Sequence, residues 1–152
     1  MSISERLKEL GITLAPPRGP QANYVSAVRT GNLVFLSGTG PYLPDGGLIT
    51  GKLGADVTLE RGYEAARWTA LALLANLQAE VGSLDRVVRI VKLLGMVNCT
   101  PDFTRQPEVI NGASDLLVEV FREKGRHARS AVGMAALPRE IAVEIEMVVE
   151  VD

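Results

Sequence analysis

The C-terminal segment from Ile141 to Val151 has an apolar side chain at every second position. Three of the positions between them are glutamates, Glu144, Glu146 and Glu150. Because successive side chains of a β-strand point to opposite faces of its sheet, this pattern predicts a strand with one face in a hydrophobic core and an acidic opposite face. The chain must therefore build a sheet and cover one face of it.

Two long segments have the helical period instead. From Leu59 to Val81, apolar residues recur at spacings of three and four, with Thr58 as a candidate N-cap and Gly82 as a candidate stop. A second helix is predicted from about Pro107 to Lys124. The proline falls near its start, where the missing amide donor is not needed.

Other segments favour strands. The stretch from Arg86 to Val97 is nearly continuous in apolar residues and rich in β-branched ones, which is typical of a strand covered on both faces. Gly31 and Asn32 tolerate positive φ and predict a hairpin turn over residues 29–32. The remaining predicted segments are a short helix from Ser4 to Leu10, an irregular proline-rich stretch from Ala15 to Ala22, strands from Tyr24 to Val28, Leu33 to Ser37 and Ala128 to Ala136, and a brief edge strand from Leu48 to Thr50.

This order of elements predicts an α+β fold in two layers, with both long helices on one face of a sheet of mostly paired strands. The 152 residues suit one domain spanning 1–152, in which residues 1–20 form an N-terminal helix and a proline-rich extension. The strand from Arg86 to Val97 is apolar on both sides, so the second sheet face also needs a cover. Oligomerisation through the sheet is the simplest one.

Composition narrows the classes of function. Eighteen acidic against sixteen basic residues give a net charge of -2, so there is no overall electrostatic pull toward nucleic acid or an anionic membrane. No window approaches the roughly 20 consecutive apolar residues of a membrane span, and the N-terminus lacks the apolar core of a signal peptide. One cysteine, Cys99, and one histidine, His127, cannot build a Cys/His zinc cluster. We expect a cytoplasmic protein with no metal and no membrane partner.

Arg129 is the first candidate for a binding residue. It lies among Ala128, Ser130, Ala131 and Gly133, and such small neighbours leave a hollow in which the guanidinium fork can bind a carboxylate. The alternative is an arginine on an edge strand that pairs with a surface glutamate.

The pairing of the last two predicted strands bears on this choice. If Ala136 pairs with Ile141 across the connection 137–140, Arg129 lies opposite Val148. Arg129 then shares a face with Glu144, Glu146 and Glu150. A structural ion pair and an anion site with an adjacent proton acceptor both fit that arrangement.

Four other features are weaker candidates for a functional site. His127 lies just before a strand, where a surface or hydrogen-bonded histidine is more common than a catalytic one. Cys99 is interpreted as a small buried hydrophobic residue. The segment from Ser37 to Pro41 is rich in glycine but lacks the lysine and the following helix of a phosphate loop, so we interpret it as a tight strand exit. Tyr24 is either a core residue or a pocket wall.

Two motifs together resemble the RidA/YjgF/UK114 family. Residues 126–138, RHARSAVGMAALP, and AVEIE at 142–146 are similar to the C-terminal signature in which A-R-S precedes L-P and then V-E-I-E. Residues 32–38, NLVFLSG, with Pro41 after them, resemble the family's early strand. The similarity in order and length covers nearly the whole chain beyond about residue 20. The length and the N-terminal extension resemble a longer subgroup labelled endoribonuclease L-PSP.

The resemblance implies a chorismate-mutase-like α+β fold, a two-layer sandwich with a mixed sheet and two long helices on one face. It also implies a homotrimer in which three sheets form a central barrel, with a pocket at each subunit interface. Enzymatically active members hydrolyse 2-imino acids to 2-keto acids and ammonia without a metal or cofactor. The alternatives are a non-catalytic trimer that binds small carboxylates, and a ribonuclease or translation inhibitor, against which the acidic balance argues.

The same resemblance assigns roles to particular residues. Arg129 falls on the arginine that grips the substrate carboxylate, and Glu144 falls on the glutamate associated with the attacking water. Whether Glu144 or Glu146 serves the site stays open. The expected substrate-binding positions are Tyr24 as a pocket aromatic, Ser37 and Gly38 as a pocket-floor turn, Asn111 near a helical asparagine at the cleft, and Ala131.

The sequence departs from the family pattern at three places. Ala131 stands where active deaminases usually carry a cysteine, and the contact there is expected to be largely through the backbone. His127 stands where proline is common, and Thr39-Gly40 replaces the usual pair after Ser37-Gly38.

Overall fold

A computed structural model describes residues 1–20 and 22–152, so Gln21 of the proline-rich stretch lies outside the described residues. Within that part of the chain, five strands form one mixed sheet in the order β1-β2-β5-β3-β4. The strands are β1 (Ala27–Thr30), β2 (Leu33–Thr39), β3 (Val87–Asn98), β4 (Ala128–Met134) and β5 (Val143–Val151), and the helices are α1 (Ile3–Glu9), α2 (Leu59–Val81) and α3 (Gln106–Phe121). Single 3₁₀ turns occupy Leu84–Arg86, Arg122–Gly125 and Pro138–Glu140.

The expected hairpin between β4 and β5 is wrong. β4 pairs with β3 in parallel, with Arg129 beside Leu93, whereas β5 lies between β2 and β3 and is antiparallel to both. The long strand β3 therefore separates β4 from β5. Its twelve residues offer a ladder on each edge, so this order gives both later strands a full-length apolar partner. Residues 135–142 carry the chain across the end of β3, where the amide of Asn98 donates to the carbonyl of Ala142 at 2.9 Å.

Helices α2 and α3 lie on one face of the sheet, as the pattern of elements predicted. The alternating apolar residues of β5, from Val143 to Val151, are all buried against them. Gly112 of α3 lies directly against the backbone carbonyl of Tyr63 in α2, so the two helices touch backbone to backbone. The Tyr63 hydroxyl also donates to the Asp115 carboxylate at 2.6 Å, which ties the helices together beside that contact.

The ends of the helices follow local chemistry. Thr58 caps α2 by accepting from the amide of Arg61 at 3.1 Å, and Gly82 ends it with a φ of 87°. The helix α3 ends at Phe121, earlier than the predicted Lys124. The next residue, Arg122, has a φ of 55°, and the chain continues as a 3₁₀ turn.

Several strand boundaries differ from the expectations. The strand predicted from Tyr24 begins only at Ala27, and β4 ends at Met134 and not at Ala136. The predicted edge strand from Leu48 to Thr50 consists of isolated bridges, because its residues pair singly with Tyr42 and Ile141. Only the C-terminal half of β3 is buried on both faces, since Val88 near its start is 40% exposed.

The face of the sheet opposite the helices carries exposed apolar side chains. One row of paired positions crosses the sheet and joins Val28, Phe35, Val148, Lys92 and Ala128. Val28 and Phe35 in this row are 53% and 45% exposed. We call this surface the open sheet face. None of the helices in the described ranges is long and apolar enough to cross a bilayer.

Candidate active site in two halves

Arg129 points toward the helical layer. Its neighbour across the parallel ladder, Leu93, is fully buried beneath the helices, and in-register residues share a face. The guanidinium donates from Nη1 to Ser114 Oγ at 3.0 Å and from Nη2 to the carbonyl of Pro107 at 3.2 Å. Both acceptors belong to α3. The expectation that Arg129 shares a face with the glutamates of β5 is wrong, because those glutamates lie on the other face. Of the two arrangements left open, the ion pair is not formed among the described residues.

A chain of hydrogen bonds extends from Arg129 to His127. Ser114 Oγ lies 2.8 Å from His127 Nε2, and His127 Nδ1 lies 2.6 Å from the carbonyl of Gly125. Since that carbonyl can only accept, Nδ1 carries the proton and Nε2 accepts from the serine hydroxyl. Burial, together with the charge of Arg129, lowers the pKa of His127. His127 is therefore hydrogen-bonded, one of the two interpretations of its sequence position, and it orients the serine that holds Arg129.

Glu144 lies on the open sheet face, at the end of β2. Its side chain occupies the space above Gly38, where a Cβ would collide with the carboxylate. Burial, and secondarily the charge of Glu146, raises the pKa of Glu144. A carboxylate that holds its proton more tightly is a better base once ionised. Glu144 is half-buried and Glu146 is exposed, so Glu144 is the better candidate of the two for a positioned proton acceptor.

Tyr24, Ser37 and Gly38 join Glu144 in lining one cavity of about 1030 Å³. Ser37 is held by its hydroxyl, which donates to the carbonyl of Val25 at 2.7 Å. Tyr24 is 45% exposed, so it forms a wall of the cavity and is not a core residue. The structure thus brings together four of the residues that the sequence placed at the site.

Asn111 and Ala131 belong to the other half. Asn111 lies on α3 three residues before Ser114 and four after Pro107, so it shares a flank with both contacts of Arg129. Ala131 is two residues beyond Arg129 on β4 and faces the same layer. We call Arg129, Asn111, Ser114 and Ala131 the arginine half, and Tyr24, Ser37, Gly38 and Glu144 the glutamate half. Within one chain the two halves lie on opposite faces of the sheet.

Cys99 is buried and lies 3.7 Å from the amide nitrogen of Gln106, in keeping with its interpretation as a small packed side chain. In the part of the chain that the structure describes, no three acidic, cysteine or histidine side chains are grouped as metal ligands.

Ser114, which accepts a hydrogen bond from Arg129, was not among the site residues predicted from the sequence. Its only signal was its place on the helix three residues after Asn111.

Comparison with known proteins settles the family. A family profile described as "YjgF/chorismate mutase-like, putative endoribonuclease" matches residues 4–150. The chain belongs to the RidA/YjgF/UK114 family. Protein TCP17 of Trypanosoma cruzi is 48% identical over 151 residues, covering 99% of this chain and 94% of that protein.

Two solved structures have nearly the same fold. Atu1372, a protein of unknown function from Agrobacterium tumefaciens, is 44% identical with a TM-score of 0.91, covering 99% of this chain and 94% of that one. A protein from Shewanella oneidensis described as a putative endoribonuclease is 33% identical with a TM-score of 0.95, covering 99% and 100%. The chorismate-mutase-like α+β fold is thereby confirmed for this RidA/YjgF/UK114 member.

Proposed function

We propose that the protein hydrolyses small 2-imino acids to 2-keto acids and ammonium, at a site that two copies of the chain complete together. The observation that carries the proposal is the division of the site. Arg129 is fixed by its contacts with α3 and Glu144 is fixed above Gly38, and the two residues lie on opposite faces of the sheet in one chain. Each half is a partial site, and a neighbouring copy supplies the other.

Assembly through the open sheet face supports this arrangement. Val28 and Phe35 expose apolar surface there, and covering it with the same face of other copies removes that surface from water. A homotrimer, which the family resemblance implies, places three such faces around one axis. The β4 edge of one copy then lies beside the glutamate half of the next.

Arg129 binds the substrate carboxylate in the proposed site. Two of its five N–H donors are already used on α3, which fixes the plane of the guanidinium and leaves other donors for the ligand. The backbone near Ala131 lies on the same face and is available for a further contact. Holding the carboxylate at one end orients the imine carbon for attack, and orientation of this kind contributes several kcal/mol, with about 7–11 as the upper range.

Glu144 accepts a proton from the attacking water. The water oxygen forms a bond to the imine carbon, and the C=N π electrons move to nitrogen. Glu144 passes that proton to the nitrogen, and the C–N bond breaks as ammonia leaves. The proton of the new hydroxyl group then goes to the ammonia as the carbonyl forms. An iminium carboxylate and one water thus give a 2-keto carboxylate and ammonium, with atoms and charge balanced. The raised pKa of Glu144 suits a group that both takes and returns this proton.

The test generates a 2-imino acid in situ, with an amino acid oxidase or threonine dehydratase, and follows its decay to the keto acid. The wild-type protein is expected to accelerate the decay. Arg129→Ala should lower kcat/KM by at least about tenfold, because a charge-assisted contact contributes about 1.5–3 kcal/mol. Arg126→Ala is the matched control, since Arg126 is exposed and pairs with Glu123 at 3.1 Å.

Glu144→Gln separates catalysis from binding alone. It should abolish most turnover while a 2-keto acid still binds, and Glu80→Gln at an exposed position of α2 should change neither. If keto acids bind the wild-type protein but imine decay is never accelerated, the protein is a carboxylate-binding trimer. If the imine decays at the same rate with Arg129→Ala as with the wild-type protein, the proposal is wrong.

A further inference from the structure

The cavity that contains Glu144 extends well beyond the glutamate half. It continues between the N-terminal segment 13–20 and one flank of α2, and we call this part the N-terminal chamber. The whole cavity has a volume of about 1030 Å³, which is at the upper limit of small-molecule sites and far larger than a small imino acid needs. Neither the arginine half nor the open sheet face explains this space.

The chamber has an apolar wall. Leu14, Leu43, Trp68 and Leu71 each pack against the core on one side and line the cavity on the other. Trp68 and Leu71 lie on the same flank of α2, one turn apart. An aromatic or branched hydrocarbon group would remove this half-buried surface from water.

Two hydrogen-bonding groups interrupt that apolar wall. The indole N–H of Trp68 and the side-chain amide of Asn76 make no hydrogen bond to any residue in the described ranges. They are two turns apart on α2 and both line the chamber. Both residues are half-buried and their polar atoms keep contact with solvent, so these groups are available for a ligand or for water.

Arg139 supplies a positive charge at the rim. It lines the chamber and a smaller adjoining cavity that also contains Arg18 and Tyr42, whereas Glu144 and Glu146 do not line that smaller cavity. The Arg18 guanidinium stacks over the Tyr42 ring, 4.8 Å from its centroid. Arg139 forms no hydrogen bond or ion pair with a residue that the structure describes, unlike most arginines of this chain.

The backbone at this rim is strained. Arg139 and Glu140 have φ values of 55° and 59°, and neither is glycine. Two consecutive left-handed residues cost about 1–3 kcal/mol each, and such strain clusters where a side chain must be aimed at a ligand. Backbone hydrogen bonds hold the turn, from the amide of Glu140 to the carbonyl of Leu137 at 3.1 Å and from the amide of Gly51 to the carbonyl of Glu140 at 2.9 Å, and the turn places Arg139 at the chamber.

We propose that the N-terminal chamber binds an amphipathic monocarboxylate with an aromatic or branched hydrocarbon part. The hydrocarbon lies against Trp68 and Leu71, and the carboxylate is bound by Arg139 at the rim. Glu144 and Glu146, farther along the same cavity, disfavour a second anionic group on the ligand. This site does not depend on imine hydrolysis, because it uses neither Arg129 nor a second copy of the chain.

Trp68 is the single tryptophan of the chain, so its fluorescence reports on the chamber directly. The titration uses 3-phenylpropanoate, its neutral isostere 3-phenylpropanamide, and acetate, all at constant ionic strength. We expect a saturable change of the Trp68 emission with the aromatic acid, binding at least about tenfold weaker for the amide, and no change with acetate. Calorimetry checks each affinity without relying on fluorescence.

Arg139→Gln should weaken the binding of 3-phenylpropanoate by about tenfold and leave the binding of 3-phenylpropanamide unchanged. Arg139→Lys should restore part of the affinity for the acid. Arg61→Gln is the matched control, because Arg61 is an exposed arginine of α2 that pairs with Glu64 outside the chamber. Circular dichroism verifies that each variant is folded. Equal affinities for acid and amide, equal behaviour of Arg139→Gln and Arg61→Gln, or no saturable response in the wild type would each overturn the proposal.

Discussion

The position of Arg129 depends on two neighbours that are distant or unremarkable in the sequence. Ser114 receives one of its N–H groups, and His127 orients the serine hydroxyl from the other side. The histidine could be singled out from the sequence, but its partner could not, because α3 and β4 meet only in the folded protein.

The state of His127 should make stability depend on pH. Its folded pKa is lowered below the ordinary value of 6.5, so the unfolded chain binds the proton more readily than the folded one. The corresponding stability is fully present above about pH 6.5 and is lost as the pH falls through the folded pKa. Urea unfolding between about pH 7.5 and pH 5.5 should therefore show a larger loss of stability for wild type than for His127→Gln.

The raised pKa of Glu144 acts in the opposite direction, but it is common to both proteins and cancels in their difference. A difference between wild type and His127→Gln that stays constant with pH, or that widens on acidification because the variant loses more stability, contradicts the assignment.

The two long helices are the elements that the local sequence predicts most directly. Spacing, the Thr58 cap and the Gly82 stop predict α2 with its observed bounds, because each is a property of neighbouring residues. The packing of the two helices against each other does not follow from these local signals. It depends on Gly112, whose missing side chain lets α3 approach the backbone of α2 at Tyr63.

Gly112→Ala should destabilise the protein despite its better helix propensity. The added methyl would meet the Tyr63 carbonyl, a backbone atom that cannot rotate away, and overpacking of this kind costs about 1–3 kcal/mol. The gain of alanine over glycine in a helix is at most about 1 kcal/mol. Denaturant unfolding measures the difference. Gly19→Ala, with open space at its Cβ, should be near neutral, and an equal effect of the two changes would refute the packing argument.

At the scale of the whole molecule, the open sheet face is the surface through which assembly would complete the proposed site. Its row of paired positions runs from Val28 to Ala128 across all five strands, and Val28 and Phe35 in this row are exposed in the single chain. Only contact with other copies would bring the arginine half and the glutamate half together. Assembly and activity are therefore expected to be lost together.

Phe35→Glu should convert the assembled protein to monomers without unfolding it. The substitution places a charge between Val28 and Val148 on the open sheet face, where assembly would remove it from water. Sedimentation velocity at several concentrations gives the mass, and circular dichroism checks the fold.

Ala79→Glu adds the same charge at an exposed position on α2 and should leave the assembly intact. A monomeric wild-type protein, or a Phe35→Glu variant with unchanged mass, would exclude assembly through this face.

Local periodicity, caps and turn residues determined the helices and most of the strands, because these signals act between residues a few positions apart. The family motifs also singled out Arg129 and Glu144 as candidate site residues. Tertiary structure alone decided that β4 pairs with β3 and that β5 inserts between β2 and β3. That choice joins residues far apart in the chain, and a strand's own pattern specifies which face it buries but not which strand it lies beside. For this reason the two principal candidates, expected on one face, lie on opposite sides of the sheet.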